Sequence, residues 1–306
     1  MNGRGSPFGP IALIGRRDED RGRVARAAPA AVDALAERGL AGRVVLTDSL
    51  DGAEAAARRE LEGGRRFLVA LGGDATVHAI VNGMFADGLP VRDDAVLGLL
   101  PAGAINDVAK TFGLPADTPR AVGFLSGERV FEADLVLATF GERPPRVLVN
   151  IAQAGLGGTA TRRAERLPRW LGRGRTFVGF WSAVAGFRPV AATLAGDRRN
   201  WEGRVHEVIV ANGQYLHDGM RLSPKSWPDD GFFEVLVMTG PKSDSFTIIP
   251  KTYLGEHLPH PNIVEYRSRT LRIQTERPVD VHLDGVVEGR TPVGFRLVPK
   301  ALRLKT

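Results

Sequence analysis

Apolar residues recur along this chain in two rhythms, and the change of rhythm divides it. Up to about residue 130, short uninterrupted apolar runs alternate with stretches of helical period. Ile11 to Ile14 reads as a first strand, and Ala25 to Arg38 as a helix whose apolar face includes Val32, Leu35 and Ala36. Val44 to Leu46 and Asp51 to Leu61 repeat the pair. Phe67 to Leu71 is wholly apolar and short enough for a buried strand. Gly72-Gly73-Asp74 breaks that run. From Thr76 the period becomes helical, with Val77, Ile80, Val81 and Met84 on one face. Val96 to Leu100 and a helix near 107–112 follow. Such alternation predicts a parallel sheet with helices on both faces.

Beyond about residue 130 the runs shorten: VFEADLVLATF, RVLVNIA, VHEVIVANG, FFEVLVM, TLRIQT, VDVHLDG and GFRLVPKALRL, separated by turn residues. Helical period survives only near 158–192 and 244–257. This half predicts a mostly antiparallel β-sandwich. The expected division is an α/β domain over 1–132 and a β-sandwich domain over 133–295, with a cleft between them. The strand at 296–306 is a candidate to return to the first domain. The Gly- and Pro-rich residues 1–10 are expected to fray.

Composition narrows the classes. The chain has 306 residues, 43% hydrophobic and 25% charged, as in a globular protein. It has no cysteine, which removes disulfides, thiolate metal sites and a cysteine nucleophile. The net charge of +6, mostly from arginine, suits phosphate ligands, anionic lipid or nucleic acid without choosing among them. The start MNGRGSPFGP lacks the apolar core of a secretory signal, and the apolar stretch 176–187 is too short to cross a bilayer. The expected location is the cytoplasm.

Ligands of parallel sheets bind beyond the carboxyl ends of strands, where Gly72-Gly73 and Gly103 fall. There a glycine turn brings bare N–H groups and a helix N-terminus near a phosphate. Alone, Gly72-Gly73-Asp74 fits an ordinary strand-to-helix turn as well. In LLPAGAINDVAK, 99–110, Asn106 or Asp107 also reads as a plain helix cap. SPKSWPDDGFFEV, 223–235, reads alone as a turn. In VDVHLDGVVEGR, 279–290, Asp280, His282 and Asp284 share one face, and Asp284-Gly285 fits a hairpin turn. The six histidines lack metal-ligand spacing such as HExxH, and there is no GxSxG elbow or GxxxxGK loop.

The order GGDAT, PAGAIND, NGQYLHDGMRLSPKSWPDDG and a late DG hairpin resembles the bacterial diacylglycerol kinase and lipid kinase family. That family includes the catalytic domains of eukaryotic diacylglycerol and sphingosine kinases. The resemblance runs from about residue 10 to the end. It implies an N-terminal nucleotide-binding domain of the NAD-kinase and phosphofructokinase type. It also implies a C-terminal β-sandwich for the lipid substrate, with ATP and Mg²⁺ in the cleft. The family moves the γ-phosphoryl group of ATP to a lipid hydroxyl. By resemblance, Gly72, Gly73, Asp74, Ala75, Thr76, Gly103, Asn106 and Asp107 meet the nucleotide, with Asp74 positioning magnesium. A structural magnesium falls to Asp230 with the carbonyls of Trp227 and Phe232, and the general base to Asp284.

Four departures stand out. Ala75 replaces a glycine and restricts positive φ. Ala104 replaces a threonine. Gly15-Arg16-Arg17 stands where an Asn-Pro-x-Ser-Gly segment is usual, and Arg16 or Arg17 could supply phosphate contacts instead. The usual glutamate after the DG pair is Val286, with Glu288 two residues on.

Arg162, Arg163, Arg166, Arg169, Arg173 and Arg175 lie close together with Glu165 as the only acid, followed by Phe177, Phe180 and Trp181. This reads either as a solvated helix face or as a basic surface for anionic lipid at the inner membrane face. No nucleic-acid recognition motif accompanies it. The expectation is an ATP- and Mg²⁺-dependent lipid kinase with a lipid substrate at a membrane surface, a homodimer being left open. The alternatives are a lipid-binding pseudokinase, a kinase of a soluble acceptor, and a relative of NAD kinase.

Overall fold

The computed structural model describes residues 6–171 and 174–306. Residues 1–5, part of the stretch expected to fray, lie outside the described residues, as do Gly172 and Arg173 and the side chains of Glu165, Arg169 and Thr176. Where description begins, the ring of Phe8 packs edge-on against Phe67, 5.8 Å between centroids.

The chain forms two compact units, one running to Asp134 and resumed at Pro299–Thr306, the other Leu135–Val298. In the first, strand β1 (Ile11–Arg16) leads to helix α1 (Arg23–Ala36) and β2 (Gly42–Thr47) to α2 (Leu50–Glu62). Strand β3 (Phe67–Gly72) leads to α3 (Asp74–Met84), and β4 (Val96–Pro101) to the short α4 (Asp107–Thr111). The strands pair in parallel in the order β4-β3-β1-β2, and Leu304 of the final strand joins the β4 edge opposite Leu97. Both β3 and β4 are buried along their whole length, as expected of strands covered on two faces. Ile11, Leu13, Val69, Leu71 and Leu100 pack with Val24, Ala31 and Leu35 of α1. The unit therefore presents the C-terminal ends of β1, β3 and β4 side by side, and every loop of interest leaves from those ends.

The second unit is a sandwich. One sheet is antiparallel, in the order Ile263–Ser268, Phe233–Met238, Glu207–Ala211, Ile151–Gly155, Asp280–Leu283, Val286–Arg290. The other contains the antiparallel run Asn200–Val205, Val190–Gly196, Thr270–Thr275 and the first part of the last strand. Val136, Leu194, Val208, Val235, Leu271, Val281 and Phe295 fill the space between them. Helices α5 (Leu156–Arg166), α6 (Gly174–Gly186) and α7 (Asp244–Thr252) decorate this unit. None of the described helices is long and apolar enough to cross a membrane.

Candidate functional site

The first constellation is the glycine turn between β3 and α3. Gly73 is extended and precedes the first residue of α3, so its N–H points away from the helix ladder. A Cβ on Gly103 would lie 2.5 Å from Gly73 N, and one on Gly73 would collide with the Ile105 carbonyl. Glycine is required here because two backbones cross. Asp74 N–H donates to the Ile105 carbonyl (3.1 Å) and Ala102 N–H to the Gly72 carbonyl (3.2 Å), which welds the two loops together.

Asp74 is buried, and its carboxylate oxygens each accept a backbone N–H at 3.0 Å, from Asp107 and Val108. It is the cap of α4, supplied from 33 residues upstream; the Asn106 side chain makes no capping bond and donates instead to the Gly103 carbonyl at 2.9 Å. Asn106 Oδ1 is buried and has no hydrogen-bond partner among the described residues. Ala75 lies inside the first turn of α3 and is not among the residues of positive φ. The restriction expected from its methyl group does not apply. Ala104 is exposed.

The turn holds a side chain that sequence reasoning passed over. Glu19, from the charged loop after β1, accepts the Gly73 N–H at 2.8 Å and the Thr76 hydroxyl. Arg16 Nε stands 3.9 Å from the Glu19 carboxylate, and Arg17 pairs with Asp48.

The second constellation is in the sandwich. Asp284 and Gly285 have φ of 49° and 85°, the signature of a two-residue hairpin turn. The carboxylate points inward, 1% exposed. It accepts the N–H groups of Val149 (3.0 Å), Asn150 (2.8 Å) and Ile151 (3.2 Å). His282, on the same strand, and His217 both meet Gln153 Oε1, at 2.6 and 2.7 Å. The Gln153 amide thus ties the two rings together. Burial pushes His217 down to about 4, so it is neutral at pH 7. Glu288 pairs with Arg146 (3.1 Å).

The third is the 223–235 loop. Asp230 accepts the Phe232 N–H at 3.0 Å and forms an ion pair with Arg267, while the Trp227 carbonyl accepts the Asp230 N–H at 3.4 Å. A guanidinium balances the charge expected to bind magnesium, so these residues do not fit a cation as they stand. Among the described residues no three His, Asp or Glu side chains converge as a metal site.

The family comparisons agree with this architecture. The diacylglycerol kinase catalytic domain matches residues 14–138, and the YegS C-terminal NAD kinase beta sandwich-like domain matches 150–306. The chain belongs to the diacylglycerol kinase and YegS-like lipid kinase family. "Probable lipid kinase YegS-like" of Xanthomonas euvesicatoria pv. vesicatoria (strain 85-10) is 26% identical over 277 residues, covering 90% of this chain and 89% of that one. A diacylglycerol kinase of Staphylococcus epidermidis (strain ATCC 35984) is 23% identical over 272 residues, covering 88% and 83%. The crystal structure of a diacylglycerol kinase from Bacillus anthracis str. Sterne shares the fold at a TM-score of 0.73 and 18% identity, over 98% of this chain and 97% of that one.

Within this lipid kinase the nucleotide-motif residues Gly72 to Thr76, Gly103, Asn106 and Asp107 come together in one place. In the other unit Asp284 binds the 149–151 backbone, and Gln153, two residues on, meets His217 and His282. Gln153 sits in a strand-like run and gave no chemical signal. Three of the six arginines of 162–175 make internal bonds: Arg162 pairs with Asp280 (2.7 Å), Arg163 donates to the Ser182 carbonyl and Arg175 to that of Ala164 (3.0 Å). The aromatics behave differently. Phe177 and Phe246 are 66% and 64% exposed, and Trp181 stacks on Phe246 at 4.9 Å between centroids.

Proposed function

We propose that this kinase uses ATP and magnesium to phosphorylate the hydroxyl of diacylglycerol or a related lipid at the inner face of a membrane. The observation that carries the reading is the anion cradle at the head of α3, where a backbone N–H and a hydroxyl already receive two carboxylate oxygens. Phosphoryl transfer asks the protein chiefly for positioning and charge stabilisation. The Gly73 N–H, the Thr76 hydroxyl and the α3 N-terminus are what this chain offers to phosphate oxygens.

Magnesium carried on a nucleotide keeps several waters and needs only one or two carboxylates. Asp74, buried beside the turn, is the carboxylate that would hold it. Bound magnesium would offset negative charge on the phosphates. In the second unit Asp284 is the base: a carboxylate oxygen takes the acceptor's hydroxyl proton as the oxygen–phosphorus bond forms. The exposed Phe177 and Phe246, with Lys251 on the same helix as Phe246, suit the interface of an anionic bilayer.

The test is transfer of labelled γ-phosphate from ATP and Mg²⁺ into anionic phospholipid vesicles containing diacylglycerol. Label is expected in the organic phase with the wild type and not with Asp284→Asn. Label that enters only the aqueous phase would overturn the lipid acceptor.

A further inference from the structure

The loop between β1 and α1 turns back on itself through three consecutive left-handed residues, Asp20, Arg21 and Gly22, with φ of 48°, 57° and 79°. Two of these are not glycine, a conformation that persists only when the surroundings enforce it. The result is one inward-facing acid among exposed neighbours: Glu19 is buried, while Arg17, Asp18 and Asp20 are exposed. Its carboxylate lies among three glycines. A Cβ on Gly72 would stand 2.7 Å from Oε2, and on Gly73 and Gly103 3.1 and 2.8 Å from Oε1. Oε1 takes the Gly73 N–H and Oε2 the Thr76 hydroxyl. These are the groups to which the proposed function assigns nucleotide phosphate.

We propose that Glu19 is an internal competitor for the phosphate cradle, and that it sets the affinity for every phosphate-bearing ligand of this site. The inference rests on the cradle being a phosphate site. Two anions cannot share one N–H and one hydroxyl, so a phosphate must displace the carboxylate before it binds. Arg16 lies beside Oε2, and its buried Nε makes no hydrogen bond among the described residues, so the displaced carboxylate has a cation to turn towards. Displacement lowers apparent affinity by the fraction of molecules whose cradle is open. The cost is the same whatever the phosphate is attached to. Removing the competitor therefore tightens ATP, ADP and pyrophosphate by one common factor and leaves adenosine unaffected.

The experiment is calorimetric titration of the full chain and of Glu19→Ala with ATP, ADP and pyrophosphate, each with Mg²⁺, and with adenosine. Each protein's melting temperature is recorded, and phosphoryl transfer to lipid is assayed alongside. The expected result is a gain of about tenfold or more, equal across the three phosphate ligands and absent for adenosine. Unchanged or weaker phosphate binding by a folded variant overturns the proposal, and so does a failure of both proteins to bind any phosphate ligand. If Glu19→Ala does not fold, Glu19→Gln keeps the shape and an acceptor oxygen and removes only the charge, and its affinities decide. Transfer to lipid without any tightening sinks the competitor and leaves the kinase reading standing. Tightening without transfer does the reverse.

Discussion

Asp284 Oδ1 accepts the backbone N–H of Asn150 at 2.8 Å, so a hairpin turn holds down a loop 134 residues before it. The same carboxylate serves Val149 and Ile151. The aspartate proposed as the base thus has a structural duty, and the two roles are separable. Asp284→Asn keeps one acceptor oxygen and tolerates φ of 49°; Asp284→Ala keeps neither advantage. Stranding a buried donor costs about 1–3 kcal/mol, so the alanine variant should melt well below the asparagine variant. For a base, Asp284→Asn should lose roughly 10²–10⁴-fold in transfer rate, while its melting temperature falls between those of the wild type and the alanine variant, because its NH2 group strands at least one of the three donors. Activity falling only in proportion to stability would mean that the residue is structural.

Asp74 gives a parallel expectation in the first unit. Asp74→Ala leaves the N–H groups of Asp107 and Val108 without their cap, at about 1–2 kcal/mol. Amide exchange at Val108 should accelerate, and Asp74→Asn should fall between the two. Exchange at Val108 no faster than in the wild type would refute the capping role.

How much of this was legible follows from what each feature depends on. The strands Phe67–Gly72 and Val96–Pro101 were readable because burial on both faces demands unbroken apolar runs. The glycine turns were readable because backbone crossing tolerates nothing larger. The direction of a side chain was not. Asp74 reads as an acid beside phosphate, but nothing local shows that its oxygens also cap a helix 33 and 34 residues ahead. Asp230 reads as a cation ligand, but Arg267 arrives from a neighbouring strand. Glu19 carried no signal, since an acid in a charged loop looks solvated until its contact 54 residues away is known. The arginines of 162–175 suggested a surface charge that the fold partly consumes in internal bonds.

The exposed aromatics predict a membrane effect. Burying a phenylalanine side chain contributes about 1.5–3 kcal/mol, so Phe177→Ser with Phe246→Ser should weaken binding to anionic vesicles by at least tenfold. ATP binding should be unchanged. Vesicle sedimentation at two salt concentrations checks this: the residual binding should be the more salt-sensitive, because what remains is electrostatic. Equal sedimentation of variant and wild type would assign these rings another role.

Glu207 makes the sharpest pH prediction. Its Oε2 accepts the Gly157 N–H, while Oε1 is buried without a hydrogen-bond partner among the described residues. Leu156, Val184, Phe187, Met238 and Ile248 line the recess it shares with His206, Lys242, Asp244 and Asn262. Burial pushes the Glu207 carboxyl up from 4.5 to about 8. The folded state therefore holds a proton that the unfolded chain releases above 4.5. Its contribution to stability is fully present below that pH, declines as pH rises, and is gone above about 8. The loss is on the order of 5 kcal/mol. Glu207→Gln keeps an oxygen for Gly157 and cannot ionise, so its melting temperature should vary less between pH 5 and 9 and exceed the wild type's at the alkaline end. Parallel melting curves for the two proteins across that range would show that Glu207 is ionised in the fold, with a partner for its charge.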